Sequence, residues 1–247
     1  MVWRVEHFDE IDSTNTYLKQ LVTNDLAEGH VVVADFQQAG RGRLDRQWIS
    51  PPRASLLCSI LLRPPLEADQ LQLVVAAVAL SARTALERLS GLRAQLKWPN
   101  DLVVGDRKLA GLLAEVIETD RGFAVVVGLG VNLTFEGPEE VSATSVRGET
   151  GLTIVPRALL DIVLEELESR RERLESNEGR RALRREYERA LSTIGSLVRV
   201  EQQNATFVGR ALGVDDEGRL LVDVEGETQT FGVGDVVHVR LHESERT

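Results

Sequence analysis

Apolar residues come first in short unbroken runs, later at helical intervals, and near the C-terminus in strict alternation. Val2–Phe8 predicts a short entering strand. Tyr17, Leu18 and Leu21 follow Asp12-Ser13 at helical spacing, so Asp12 or Ser13 is the expected N-cap. His30–Phe36 and Ser55–Leu62 are apolar enough to be buried strands, and Pro51-Pro52 keeps the second from starting earlier. Glu67–Ser90 predicts a long helix with Leu71, Val74, Val75, Val78 and Ala82 on its core face and Gly91 just past its end. Leu92–Trp98, Leu102–Val104, Leu112–Ile117 and Phe123–Val127 predict further strands. Gly105-Asp106 turns one hairpin, and Gly128–Asn132 closes the sheet.

This pattern predicts an α+β unit, a mixed sheet with helices packed on one face. Pro156–Glu175 and Arg180–Ile194 are amphipathic and highly charged, and their charges are expected to form solvated i,i+4 pairs. After Gly195 the period changes to two. Ser196–Glu201, Ala205–Leu212, Arg219–Val224, Thr228–Val233 and Val236–Leu241 predict a small β-barrel of SH3-like type. A boundary near Gly195 divides the chain into 1–195 and 196–247.

The 247 residues are 43% hydrophobic and 28% charged, the balance of a folded chain. A formal charge of −10 disfavours general nucleic-acid binding. It also makes one cluster conspicuous, because Gly40–Trp48 (GRGRLDRQW) gathers Arg41, Arg43 and Arg46. Arginine presents a planar charged fork suited to phosphate and carboxylate oxygens, and glycine lets backbone approach an anion. By itself the run is equally a solvated basic hairpin tip. Likewise Ser13-Thr14-Asn15 is either a helix cap or a polar ligand site. Cys58, the sole cysteine, excludes an internal disulfide and points to a buried reduced thiol. The four histidines have no metal-ligand spacing, the N-terminus has no signal-peptide pattern, and no apolar run approaches bilayer length. A cytoplasmic protein without a protein-only metal site is expected.

Lys97-Trp98-Pro99-Asn100-Asp101, Lys108-Leu109-Ala110-Gly111 and Gly128-Leu129-Gly130-Val131-Asn132 follow the arginine loop in that order. Together they resemble the catalytic core of biotin protein ligases, and the resemblance covers the whole chain. It implies a fold like that of class II synthetases and biotin–lipoate ligases. It implies ATP-dependent activation of biotin as biotinoyl-5′-AMP, then transfer to a specific lysine of a biotin carboxyl carrier protein. Ser13, Thr14, Asn15, Gln37, Gly40, Arg41, Gly42, Arg43, Lys108 and Gly111 match biotin-side positions. Arg43, Arg46, Trp48, Lys97, Asn100, Asp101, Gly130 and Asn132 match nucleotide-side positions, and Arg43 and Lys108 carry the catalytic roles. ATP with Mg²⁺ is the implied cofactor set, and a homodimer through an exposed sheet edge is the implied assembly, with no nucleic acid or membrane partner. Asp45 departs from the family, many members having glycine there. An acid at that place either pins the loop by a local ion pair or lowers its positive charge. The Ser-Thr-Asn element begins at residue 13, which leads to the expectation of a ligase-only form without a DNA-binding domain. The rival readings are a lipoate or octanoate ligase and a non-catalytic biotin-binding module.

Overall fold

The computed structural model describes residues 1–22, 26–44, 46–67, 70–120, 122–202, 205–232 and 235–238. Asp45 and the ends of the last two expected strands lie outside the described residues. The first sheet contains β1 (Arg4–Ile11), β2 (His30–Gln37), β3 (Ser55–Leu62), β4 (Gln95–Lys97), β5 (Asp101–Val104), β6 (Arg107–Thr119) and β7 (Gly122–Asn132). Its order is β1-β2-β3-β7-β6-β5-β4. The β1–β2 pair is parallel because a helix, α1 (Thr14–Val22), carries the chain across between them. The other pairs are antiparallel, so the sheet is mixed as expected.

Two of the glycine words sit differently from expectation. Gly128–Asn132 does not follow the strand but lies inside β7, facing Ser59 through Leu57 to Ser55 of β3. Gly111 likewise lies within β6, opposite Gly130. Both strands are longer than their apolar cores, because paired backbone carries the ladder through glycines that pattern alone reads as turns. The strand expected at Leu92–Trp98 shortens to β4, where Trp98 turns inward with 1% exposure.

Alternation decides which face each side chain covers. Val31, Val33, Leu56, Cys58, Ile60, Leu62, Val125 and Val127 pack on α2 (Leu71–Ser90), α4 (Pro156–Arg173) and α5 (Asn177–Ala190). Gly91 ends α2 with φ 70, where its missing Cβ removes the left-handed penalty. The opposite face has one short helix. Leu18 and Val22 of α1 pack on Val32, Leu61, Ala124 and Val126, and the remaining length of that face holds Gly111, Gly128 and Gly130 beside Leu57 and Leu113. The long helices thus share one face, as expected, and α1 adds a small cluster on the other. No helix among the described residues is long and apolar enough to cross a membrane.

Not every helical charge is solvated. Arg157–Asp161 is an exposed i,i+4 pair, but the Arg170 side chain is 8% exposed and held by Glu166 and Glu186. Arg170 lies between α4 and α5, where helix packing removes water that the sequence pattern assumes is present. A short helix absent from the pattern, α3 (Val146–Thr150), is capped by Ser145, whose Oγ accepts from Gly148 N at 3.0 Å.

The second sheet is antiparallel, formed by β8 (Leu197–Glu201), β9 (Thr206–Val214), β10 (Leu220–Val224), β11 (Glu227–Phe231) and β12 (Asp235–His238) in the order β11-β10-β9-β8-β12. It is tied to the first unit at buried points. The Trp98 indole N–H donates to Gly218 O at 3.2 Å, and Arg184 donates to Val214 O at 2.9 Å.

Candidate functional site

A cavity of about 800 Å³ opens over the glycine-bearing face of the first sheet, within the roughly 300–1,000 Å³ usual for small-ligand sites. All the expected site residues line it except Gly40, which sits at the root of the arginine loop. Glu140, Ser142 and Ala143 close one side, and Glu201 and Val236 of the second sheet reach its wall.

At one end stands the start of α1. Ser13 Oγ accepts from Thr16 N at 3.4 Å, so the residue is a helix cap as well as a cavity residue. Thr14 donates to Gln37 Oε1 from its backbone N at 2.8 Å and from Oγ1 at 3.0 Å. Ser59, from the middle of β3, donates to Asn15 Oδ1 and lies 2.7 Å from Thr14 Oγ1. Asn15 Nδ2 donates to Leu113 O at 3.1 Å and to Glu115 Oε2 at 3.0 Å. Gly128 makes this possible, since a Cβ there would overlap the Asn15 amide. Ser59, Glu115 and Gly128 are absent from the sequence-derived site. Their signals are a hydroxyl and an acid interrupting apolar strands, and a glycine two positions before Gly130.

The arginine loop is a hairpin between β2 and β3. Trp48 N donates to Gly40 O at 3.0 Å, Gly42 N to Arg46 O at 2.7 Å and Arg46 N to Arg43 O at 3.1 Å. Gly40 therefore serves the hairpin itself: a Cβ would strike the Trp48 carbonyl. The loop's arginines diverge. Arg41 pairs with Glu115 at 3.0 and 3.2 Å, while Arg43 donates to Asn100 Oδ1 at 3.2 Å across the cavity.

Trp48 lies on the glycine floor. A Cβ on Gly130 would be 2.6 Å from its ring, and one on Gly111 would be 3.0 Å away. The Lys108 ammonium stands 5.7 Å from the ring centroid, close enough for a cation–π contact. It also ion-pairs with Asp101 Oδ1 at 2.7 Å, although the approach is too bent for a well-aligned hydrogen bond. Asn100 Nδ2 donates to Leu112 O at 2.6 Å, and Asn132 Nδ2 to Thr144 O at 3.0 Å. Lys97 lines the same wall.

Gly130→Ala is expected to lift the Trp48 indole, since overpacking of this kind costs roughly 1–3 kcal/mol unless the ring moves. With the three tryptophans labelled as fluorotryptophan, one ¹⁹F resonance should shift strongly. If none moves, the glycine floor does not seat the ring.

Electrostatics divide the site in two. Burial alone would raise the Glu115 carboxyl, but hydrogen bonds from Lys19 and Asn15 with the charges of Lys19 and Arg41 hold it below the ordinary carboxylate range. Burial pushes the Cys58 thiol up to about 12, so it is a neutral part of the wall and no nucleophile. Lys97, Lys108, Arg43 and Arg46 converge on the remaining volume. Such a cavity can take an uncharged polar group beside α1 and an anionic group under the loop. It can also place an acid and a phosphate in contact while offsetting their repulsion.

Residues 7–132 match the biotin/lipoate A/B protein ligase family, and residues 193–239 match the biotin protein ligase C-terminal domain. The biotin--[acetyl-CoA-carboxylase] ligase of Mycobacterium tuberculosis is 38% identical over 221 residues, which cover 86% of this chain and 80% of that protein. The bifunctional ligase/repressor BirA of Bacillus spizizenii is 33% identical over 223 residues, covering 88% of this chain and 68% of that protein. Among solved structures, the biotin protein ligase from Aquifex aeolicus in complex with biotin and ATP is similar with a TM-score of 0.83 at 28% identity, covering 96% of this chain and 99% of that one.

Proposed function

We propose that this chain, which belongs to the biotin/lipoate A/B protein ligase family, is an ATP-dependent ligase that makes biotinoyl-5′-AMP and passes the biotinoyl group to a lysine of a biotin carboxyl carrier protein. The observation that carries this reading is one cavity joining the hydrogen-bonding start of α1 to four cations over a glycine floor.

A carboxylate is a poor electrophile, so it must first be activated. A biotin carboxylate oxygen attacks the α-phosphorus of ATP, the bond to the β-phosphate oxygen breaks, and pyrophosphate leaves. Two anions must meet, and preorganised positive charge is what lowers that barrier. Lys108, held in place through backbone bonds to Ser142 and Thr144, is assigned to the reacting carboxyl and phosphate. Arg43 and Arg46 cover the phosphate from the loop, Lys97, Asn100 and Asp101 face the nucleotide, and Trp48 offers a ring for the base. Thr14, Asn15 and Gln37 orient the uncharged end of biotin. The carrier amine then attacks the acyl carbon, an amide forms, the acyl–phosphate bond breaks, and AMP leaves. Between the steps the loop excludes water.

Among the described residues no group of three or more acids, histidines or cysteines is placed to hold a metal ion. Magnesium is assigned to the nucleotide's own phosphates. The same reading takes 1–195 as the catalytic unit and 196–247 as an SH3-like barrel. The change of sheet at Leu197 supports that division. It places the protein in the cytoplasm, without membrane or DNA partners, in keeping with the −10 charge. A homodimer through a sheet edge is supported by β1, the eight-residue strand that stands at one end of the larger sheet among the described residues.

The deciding experiment is mass spectrometry after incubation with ATP, Mg²⁺ and either biotin or octanoate. A biotinoyl-adenylate that disappears as an added carrier domain gains one biotin is the expected result. An octanoyl-adenylate instead moves the assignment to lipoate-type ligation, and no adenylate with either acid leaves a binding module.

A further inference from the structure

The Glu115 carboxylate is used by no step of the proposed reaction and lies outside the cavity wall, yet three side chains, two from α1 and one from the arginine loop, converge on it. Lys19 Nζ from α1 reaches Oε1 at 2.7 Å, Asn15 Nδ2 reaches Oε2 at 3.0 Å, and Arg41 reaches the two oxygens at 3.0 and 3.2 Å. The Glu115 side chain is 15% exposed and that of Arg41 is 44% exposed. A desolvated carboxylate with this many donors is a strong anchor for a mobile cation. Arg41 also sits at the root of the hairpin, its backbone opposite Gln47 between the Gly40–Trp48 and Gly42–Arg46 hydrogen bonds.

We propose that Glu115 is a positioning residue that holds Arg41 and thereby sets the hinge of the arginine loop. In this arrangement Arg41 is part of the loop's fixed post, and Arg43 and Arg46 are the forks that meet the adenylate. Without the carboxylate, Lys19 and Arg41 face each other uncompensated. The more exposed Arg41 is the one that leaves, taking the hairpin root with it. Asn15 bonds to the same carboxylate, so the hinge is tied to the biotin end of the cavity.

The inference rests on the proposed reaction, and the test separates the two. Glu115→Gln, Arg41→Gln and the double variant are compared with the wild-type protein for biotinoyl-AMP lifetime, adenylate formation at saturating biotin and ATP, melting temperature, and tryptic cleavage after Arg43 and Arg46. Arg41→Gln alters an exposed side chain and leaves the core intact. The expected result is adenylate loss about tenfold faster in each single variant, the size of a coupled charge pair. The double variant should be no worse, any fall in adenylate formation should be the same in Glu115→Gln and Arg41→Gln, and cleavage should be faster with or without ligand. A lowered melting temperature with unchanged adenylate lifetime and cleavage overturns the hinge. So does damage in Arg41→Gln that Glu115→Gln does not share. If the wild-type protein makes no biotinoyl-AMP, the proposed function fails, and cleavage of the ligand-free variants still decides whether Glu115 holds the loop.

Discussion

Lys108→Ala is expected to abolish the first half-reaction, with pyrophosphate release from ATP and biotin falling about 10²- to 10³-fold, as when a preorganised donor to developing charge is lost. The magnitude follows from placement. Lys108 lies at the start of β6, its backbone N donates to Ser142 O and its carbonyl accepts from Thr144 N, so the ammonium root cannot drift. Its head is held between Asp101 and the Trp48 ring, at 2.7 Å and 5.7 Å. Single-turnover pyrophosphate release, with the melting temperature as a control for the unpaired Asp101, measures the effect. An unchanged rate removes this lysine from the mechanism.

Arg43→Ala is expected to act on the second property, retention. Charge-assisted hydrogen bonds contribute roughly 1.5–3 kcal/mol each, so biotinoyl-AMP should be lost about one to two decades faster. Formation should suffer less, because Lys97 and Lys108 stay in the wall. Arg43 spans from the loop to Asn100 at 3.2 Å, and Asn100 is itself fixed to Leu112 O on β6. Removing the guanidinium therefore unlatches the loop tip from the sheet. A wild-type adenylate half-life in this variant would refute the lid.

Arg43 and Lys108 are named from the sequence through the resemblance carried by the order of the motifs, since the arginine run by itself is equally a solvated hairpin tip. β3 is legible by pattern, its largely apolar run matching the eight residues Ser55–Leu62. Glu115 is not legible in this way. Within Leu112–Ile117 it reads as the polar member of an alternating strand, which ordinarily faces water. Only the folded sheet shows that this side lies under α1 and beside Arg41, 74 positions away. Arg41 and Arg43 are indistinguishable by pattern for the same reason. Both line the cavity, and partners remote in sequence, Glu115 for Arg41 and Asn100 for Arg43, set them apart.

Periodicity and residue chemistry act over a few positions. They suffice for most of the elements and for the clustering of cations in one loop, while the site residues are named by the resemblance that the order of the motifs carries. Contacts between distant strands were needed to show that Gly111 and Gly130 are a floor for Trp48 and that Glu115 stands behind the loop. Each depends on which faces of β3, β6 and β7 are brought together. That register is set by burying the other face under α2, α4 and α5.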